Sequence, residues 1–274
     1  DNPFKGVPIP AAVVARDRHG VPVMGFDLAG EEAGYPAGHH DAAYEEAHRP
    51  YFFGRRAEED DLFERVRRHR LTVLYGPSGL GKTSLLRAGL MPRLVTAGWL
   101  PVRVRLTYLE RLDTIVEADP QSLLQQVLES LAAALIAAEH PAGEKLRAAL
   151  SAPLASSVTP LPSLWELWHD TAWGLREPGA PRPVLLLDQF EEIFTLGEDE
   201  ARARSAARVL RDALADLIED RPPPALDRRL QEEPAFAERF DFTPDAARVV
   251  LVLREDYLSR LERWKKLLPS LLRN

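Results

Sequence analysis

The chain has 274 residues, 45% of them hydrophobic and 28% charged, a balance typical of a globular protein and unlike a disordered or fibrous one. Its formal net charge of -7 argues against nucleic-acid binding, and the absence of cysteine excludes disulfide bonds and thiolate chemistry. The sequence shows no apolar run of membrane-spanning length and no secretory signal, so we expect a cytoplasmic protein without membrane partners.

Residues 1–50 are predicted to be an irregular segment. They contain many Pro, Gly and His but no sustained helical period, so we interpret them as a linker or the tail of a preceding domain. His39, His40 and Asp41 make only a weak metal candidate, because adjacent histidines in a loop are usually solvated. The chain begins at Asp1 without an initiator Met, so we expect a fragment of a longer protein.

Residues 51–274 are predicted to form one principal domain, which begins with a loop and a helix. Phe53-Gly54-Arg55 precedes an acidic first turn, and Leu62, Phe63 and Val66 then follow at helical spacing. This pattern places a helix directly before the most informative part of the chain.

Residues 71–84 have the pattern of a phosphate-binding P-loop, in which an apolar strand leads through a glycine-rich loop into an amphipathic helix. The glycines let backbone N–H groups turn inward around an anion. Lys82 would reach the β- and γ-phosphates of a nucleotide, and the Thr83 hydroxyl would ligate Mg²⁺. The alternative, a glycine-rich turn that contains Lys by chance, does not account for the strand before the loop and the helix after it. The predicted phosphate-binding residues are Gly76, Ser78, Gly79, Gly81, Lys82, Thr83 and Ser84.

The next elements are a strand and two helices. In residues 100–106 valines and leucine alternate with arginines, as at a sheet edge. A helix is predicted after the N-cap Asp119 and the first-turn Pro120. Another is predicted over residues 163–175, whose three tryptophans could stack on bases but are more typical of core. The three are Trp165, Trp168 and Trp173.

Residues 183–188, Pro-Val-Leu-Leu-Leu-Asp, are typical of a strand covered on both faces with a metal-binding acid at its tip. Asp188 is the Walker B candidate that would hold Mg²⁺ through its water shell. Glu191 and Glu192 follow, and either could polarise a water that attacks the γ-phosphate. Such a strand is a weak signal alone and a strong one when paired with the P-loop.

The last part of the chain supplies a candidate sensor. Residues 199–219 are predicted to be a helix and residues 221–234, with Pro222, Pro223 and Pro224, a charged loop or excursion. An apolar strand at 248–253 ends in Arg254, on the ligand side of a parallel sheet. Arg254 could sense the γ-phosphate, or it could form a salt bridge to Glu255 or Asp256.

Asparagine occurs only at Asn2 and Asn274, so the chain lacks an Asn-Lys-x-Asp guanine-reading motif and the polar Asn sensor of AAA+ motors. It also lacks the Leu-Ser-Gly-Gly signature of transporter-type ATPases. These absences argue against guanine-specific proteins, AAA+ motors and transporter-type ATPases.

Four stretches together resemble the STAND family of signal-transduction ATPases, most closely the bacterial novel-STAND subfamily one, over about residues 50–274. They are Phe53-Gly54-Arg55, Gly76-Pro-Ser-Gly-Leu-Gly-Lys-Thr-Ser84, Leu187-Asp-Gln-Phe-Glu-Glu-Ile-Phe194 and Val252-Leu-Arg-Glu-Asp-Tyr-Leu258. The resemblance implies that Gly54 and Arg55 lie by the adenine and phosphates, that the Walker residues bind Mg-ATP, and that Arg254 is a sensor. Relatives continue into a last core strand and a winged helix, which we expect this chain to lack.

We therefore predict an α/β P-loop NTPase with a parallel sheet flanked by helices, which binds ATP or ADP with Mg²⁺ and hydrolyses ATP slowly. The resemblance implies a molecular switch of a modular signalling or anti-phage-type defence protein. Its partners would be effector and sensor domains of the same polypeptide, and it would form a homo-oligomer when activated. The alternatives are a nucleotide-binding scaffold without hydrolysis and a steady-turnover P-loop ATPase or kinase.

Overall fold

The computed structural model describes residues 12–16, 22–26, 55–106, 122–151, 161–195, 201–243 and 247–273. In this part of the chain, a four-stranded, all-parallel core sheet is flanked by helices, which confirms the predicted α/β fold. The strands, with an N-terminal pair first, are β1 Ala12–Arg16, β2 Pro22–Phe26, β3 Leu71–Gly76, β4 Trp99–Arg105, β5 Arg182–Asp188 and β6 Arg248–Arg254.

The strand order brings three predicted site segments together. The core sheet runs β3-β6-β5-β4, and its neighbouring strands are parallel throughout. Gly76 at the end of β3 lies beside Arg254 at the end of β6, and Asp188 at the end of β5 lies beside Arg105 of β4. β4 is at the edge of this sheet, as its alternating arginines predicted.

An antiparallel hairpin extends the sheet on its other side. β1 pairs with β2, and β2 meets β3 in parallel at Met24 and Leu74. The pattern of residues 1–50 did not predict this hairpin, because many Pro and Gly residues accompany its two short strands. The assignment of residues 1–50 to a linker or preceding domain stays a prediction.

Helices cover the sheet and lead into and out of the predicted site. They are α1 Arg56–Arg68, α2 Lys82–Ser84, α3 Met91–Thr96, α4 Ser122–Ala137, α5 Pro141–Ser151, α6 Leu164–His169, α7 Glu192–Thr195, α8 Ala201–Ile218, α9 Pro224–Glu232, α10 Pro234–Ala237, α11 Leu258–Glu262 and α12 Ser270–Arg273. A π-helical segment, Leu85–Leu90, joins α2 to α3 without a break. Across the described residues, no helix is both long enough and apolar enough to span a membrane.

The core sheet is buried on both faces. Along β5, Leu185 and Leu187 pack in a cluster with α4 and α8, whereas Val184 and Leu186 pack in a second cluster with α1 and the helix after β3. Because successive strand side chains point to opposite faces, one continuous apolar run serves both clusters. This explains why residues 183–188 read as an uninterrupted apolar strand.

The predicted helix over 163–175 ends earlier than expected, at His169. Asp170 takes an extended backbone, and its carboxylate accepts a hydrogen bond from the Ala172 N–H to start a separate 3₁₀ turn. Trp165 and Trp168 are buried, so the core interpretation is confirmed for both. Asp119 and Pro120, the predicted start of α4, lie outside the described residues.

The prediction of a loop over 221–234 was wrong. The prolines do not prevent a helix, because Pro224 occupies the first position of α9, where its missing N–H has no intrahelical partner to lose. Side-chain pairs one turn apart then support the helix, from Gln231 to Asp227 at 3.0 Å and from Arg229 to Glu233 at 3.2 Å.

Helix α1 packs closely against the π-helical segment that follows the glycine-rich loop. Gly89, in the π-helical segment, faces Glu59 of α1, and a Cβ at position 89 would lie 2.8 Å from Glu59 Cγ. Arg93 of α3 and Asp60 of α1 form an ion pair at 2.5 Å beside this contact. The missing side chain of Gly89 therefore allows α1 to pack directly against the helix that follows β3.

We predict that Gly89→Ala destabilises the protein. Alanine would gain about 1 kcal/mol of helix propensity, but overpacking against Glu59 should cost about 1–3 kcal/mol and outweigh it. Urea unfolding of the parent, Gly89→Ala, Glu59→Ala and the double variant measures both terms. Glu59→Ala should suppress most of the loss, and a Gly89→Ala variant more stable than the parent would contradict the prediction.

Candidate functional site

The candidate site lies at the carboxyl ends of the core strands, where β3, β6 and β5 end side by side. The loop after β3 enters α2, and the segments after β5 and β6 carry the acids and the arginine predicted from sequence. In open parallel sheets, ligands bind in the crevice outside the carboxyl ends of the strands.

Two glycines of the loop have backbones that other residues adopt only with strain. Gly79 has φ of 81° and Gly81 has φ of 75°, both in the left-handed region. Gly81 also faces Arg55, whose guanidinium Nη1 would lie 3.5 Å from a Cβ at position 81. Arg55 therefore lies against the loop, and burial lowers the pKa of its guanidinium despite the opposing charge of Glu58. Its implied place by the adenine and phosphates stays a prediction. Gly54 lies outside the described residues.

Lys82 folds back over the loop. Its Nζ donates hydrogen bonds to the carbonyl oxygens of Gly76 at 2.8 Å and Pro77 at 2.7 Å. Burial lowers the pKa of Lys82, the charge of Glu191 opposes that shift, and Arg254 adds to it. An anion in the loop would offer the ammonium a stronger, charge-assisted partner than two neutral carbonyls.

The loop and the tip of β5 are joined by one hydrogen bond. Thr83 Oγ1 donates to Asp188 Oδ1 at 3.1 Å across 105 residues of sequence. Asp188 is only 1% exposed, and its other oxygen, Oδ2, accepts two hydrogen bonds from Arg103 of β4, from Nε at 3.1 Å and from an Nη at 2.7 Å. The buried carboxylate therefore has a charged partner as well as the threonine.

A tight turn after Asp188 separates the two glutamates. Gln189 has φ of 56°, unusual for a residue with a side chain, and the Phe190 N–H donates to Val252 O at 2.7 Å. Phe190 is fully buried beneath the turn. Its burial anchors the segment, so that Glu191 emerges above the sheet next to the loop.

Glu191 and Glu192 occupy different surroundings. Glu191 Oε2 accepts the backbone N–H of Arg254 at 3.2 Å, next to Gly76, and its charge acts on Lys82. Burial raises the pKa of Glu192, and the charge of Arg105 on β4 opposes that shift. Glu191 thus contacts the tip of β6 beside the loop, whereas the charge of Arg105 on the edge strand acts on Glu192.

Arg254 forms the salt bridge that the sequence analysis left open. One of its Nη atoms lies 2.5 Å from Asp256 Oδ2, and both side chains are about half exposed. Exposed ion pairs of this kind contribute roughly 0–1 kcal/mol, so a phosphate could replace the carboxylate at little cost. The sensor role of Arg254 stays a prediction.

Aromatic packing joins the segments that follow the tips of β5 and β6. Phe194 of α7 stacks on Tyr257 with ring centroids 6.2 Å apart and contacts Trp264 at 5.3 Å. Arg260 of α11 donates a hydrogen bond to Phe194 O at 3.1 Å. A shift of either strand tip would therefore change the contacts of α11.

The donor set fits magnesium bound together with phosphate. Thr83 and Asp188 offer hard oxygen atoms, the ligands that Mg²⁺ prefers, and they lie within hydrogen-bond distance of each other. Among the described residues, no cluster of three or more His, Asp or Glu side chains could hold a metal alone.

Sequence reasoning did not identify Arg103 and Arg105 as part of this site. Their alternation with valines indicated an edge strand, but no local signal showed which strand would lie beside β4. The other predicted loop residues, Ser78 and Ser84, lie as expected in the loop and at the start of the helix.

Comparison with known proteins identifies the family. Curated proteins and solved structures gave no significant match. The sequence profile described as Novel STAND NTPase 1 matches residues 42–274, which is most of the chain. The chain belongs to the Novel STAND NTPase 1 family, a family of nucleotide-binding signalling NTPases.

Proposed function

We propose that this chain binds Mg-ATP and hydrolyses it slowly, as the switch of a modular signalling or defence protein. The switch would couple a sensor to an effector in the same polypeptide through nucleotide-dependent oligomerisation. The observation that carries the proposal is the Thr83 to Asp188 hydrogen bond, which joins the P-loop to the acidic strand tip at the place where a metal-bound triphosphate would lie.

Each group of the site has a chemical task in this proposal. Lys82 leaves the carbonyls of Gly76 and Pro77 and contacts the β- and γ-phosphates. Glu191, beside the loop, orients a water and accepts its proton. Mg²⁺, held by Thr83 and Asp188, would neutralise phosphate charge. The base would be adenine, because the chain has no guanine-reading motif and the resemblance of Phe53-Gly54-Arg55 implies a place beside adenine.

The switch depends on contacts that differ between ATP and ADP. A ligand shifts a conformational equilibrium only by its difference in affinity for the two states. Arg254 and Glu191 are linked through the Arg254 backbone, and the aromatic contacts of Phe194 and Tyr257 connect both tips to α11. Loss of the γ-phosphate would therefore change interactions that reach the C-terminal part of the described chain.

We predict that Lys82→Ala weakens Mg-ATP binding by about a hundredfold or more, because it removes charge-assisted contacts to two phosphates. Calorimetric titration of Mg-ATP measures the effect. Lys145→Ala is the matched control, since Lys145 donates to Ala172 O on another part of the fold. Parent-like affinity in Lys82→Ala would refute the P-loop assignment.

A scaffold that binds nucleotide without hydrolysis is the second candidate. It is favoured by one observation, the pairing of Asp188 with Arg103, which offsets the charge of the Walker B carboxylate. Both candidates require nucleotide binding, so only a test of hydrolysis separates them.

Hydrolysis should depend on Glu191 more than on Glu192. Glu191→Gln should keep Mg-ATP bound and lower the single-turnover rate by about 10²–10⁴-fold, because the amide cannot accept a proton. Glu192→Gln makes the same change of size and charge at the neighbouring residue. Its single-turnover rate should stay within a few-fold of the parent. Equal losses in both variants would refute this division, and an inactive parent that binds ATP would favour the scaffold.

Arg254→Ala should narrow the affinity difference between ATP and ADP. Removing a positive charge aimed at the γ-phosphate should weaken ATP binding by about tenfold and leave ADP binding nearly intact. Both dissociation constants are measured in the parent and the variant, with Asp256→Asn as a control that breaks the same ion pair but keeps the arginine. An unchanged ratio of the two constants would reduce Arg254 to a structural partner of Asp256.

A further inference from the structure

We propose that Arg103 is a built-in counter-cation of Asp188, which makes the site take up a divalent cation together with nucleotide phosphates and not alone. This inference rests on the proposed function, because it concerns the metal side of the same site. Neither the sequence motifs nor the family match assigns a role to β4.

The first support is the geometry of the ion pair. Two guanidinium N–H groups of Arg103 converge on Asp188 Oδ2, at 3.1 and 2.7 Å, while Thr83 occupies Oδ1 at 3.1 Å. Asp188 is 1% exposed, whereas the Arg103 side chain is 26% exposed. The carboxylate is thus fixed in place, and the arginine approaches it from the open edge of the sheet.

The second support is the balance of charge. A carboxylate with a guanidinium at 2.7 Å has little net charge left to attract a free cation. A divalent ion placed at Thr83 and Asp188 would also be repelled by the arginine. Nucleotide phosphates would restore the negative charge, so metal and nucleotide would bind as a unit.

The third support is the specificity of the contact. Arg105 stands on the same face of β4 two residues further on, but its charge acts on Glu192. Asp188 is hydrogen-bonded to Arg103 although Arg105 is its partner in register, so the contact is set by side-chain geometry and not by register alone.

The test is the variant Arg103→Met, which keeps the length of the side chain and removes its charge. Free Mn²⁺ binding without nucleotide is followed by electron paramagnetic resonance, and ATP binding without metal by calorimetry. We expect Mn²⁺ to bind about tenfold more tightly than to the parent and metal-free ATP to bind about tenfold more weakly, because the unpaired Asp188 attracts cations and repels phosphates.

Opposite shifts of the two affinities separate this role from a structural one, since a damaged fold would weaken both. Arg103→Lys should stay within a few-fold of the parent, and Asp188→Asn added to Arg103→Met should abolish the gain in Mn²⁺ binding. Two unchanged affinities, or two weakened ones, would overturn the inference. The Mn²⁺ measurement needs no nucleotide, so a parent that fails to bind ATP would refute the proposed function independently.

Discussion

The site depends on the contact between Thr83 and Asp188. These residues are 105 positions apart, and the 3.1 Å hydrogen bond between them joins the helix after the P-loop to the strand that carries the acids. Because Asp188 is buried, it must be hydrogen-bonded and paired, and Thr83 and Arg103 meet both needs. Removing one partner of a buried charge is strongly destabilising. The groups that would bind the ligand therefore also stabilise this end of the sheet.

The parallel sheet makes this contact possible. Insertion of β6 between β3 and β5 places the tip that carries Arg254 between the P-loop and the acidic turn. Glu191 can then accept the N–H of Arg254, and its charge can oppose the effect of burial on Lys82. Three segments that are distant in sequence thereby carry charged groups that interact with one another. A change of charge in one segment would therefore alter the electrostatic interactions of the other two.

The turn after β5 places two neighbouring glutamates, Glu191 and Glu192, in different surroundings. The left-handed backbone of Gln189 and the buried ring of Phe190 direct Glu191 toward the loop and leave Glu192 near Arg105. The positive φ at Gln189 is a sparsely populated conformation for a residue with a Cβ, and such conformations are found where the surrounding structure holds them. Here the hydrogen bond from the Phe190 N–H to Val252 O stabilises that conformation.

The sequence by itself determined the P-loop, the apolar strands with Asp188 and Arg254 at their tips, and the α/β class, because each is a local pattern of residue type and spacing. It did not determine that α9 begins at the third of three consecutive prolines, since proline and the helix-supporting pairs favour opposite structures, nor that the helix at Leu164 ends at His169. Only the tertiary structure decided that Arg103 pairs with Asp188 and that Glu191 accepts the backbone N–H of Arg254 beside the loop. Those contacts follow from strand order and register, which bring together side chains that no local pattern connects.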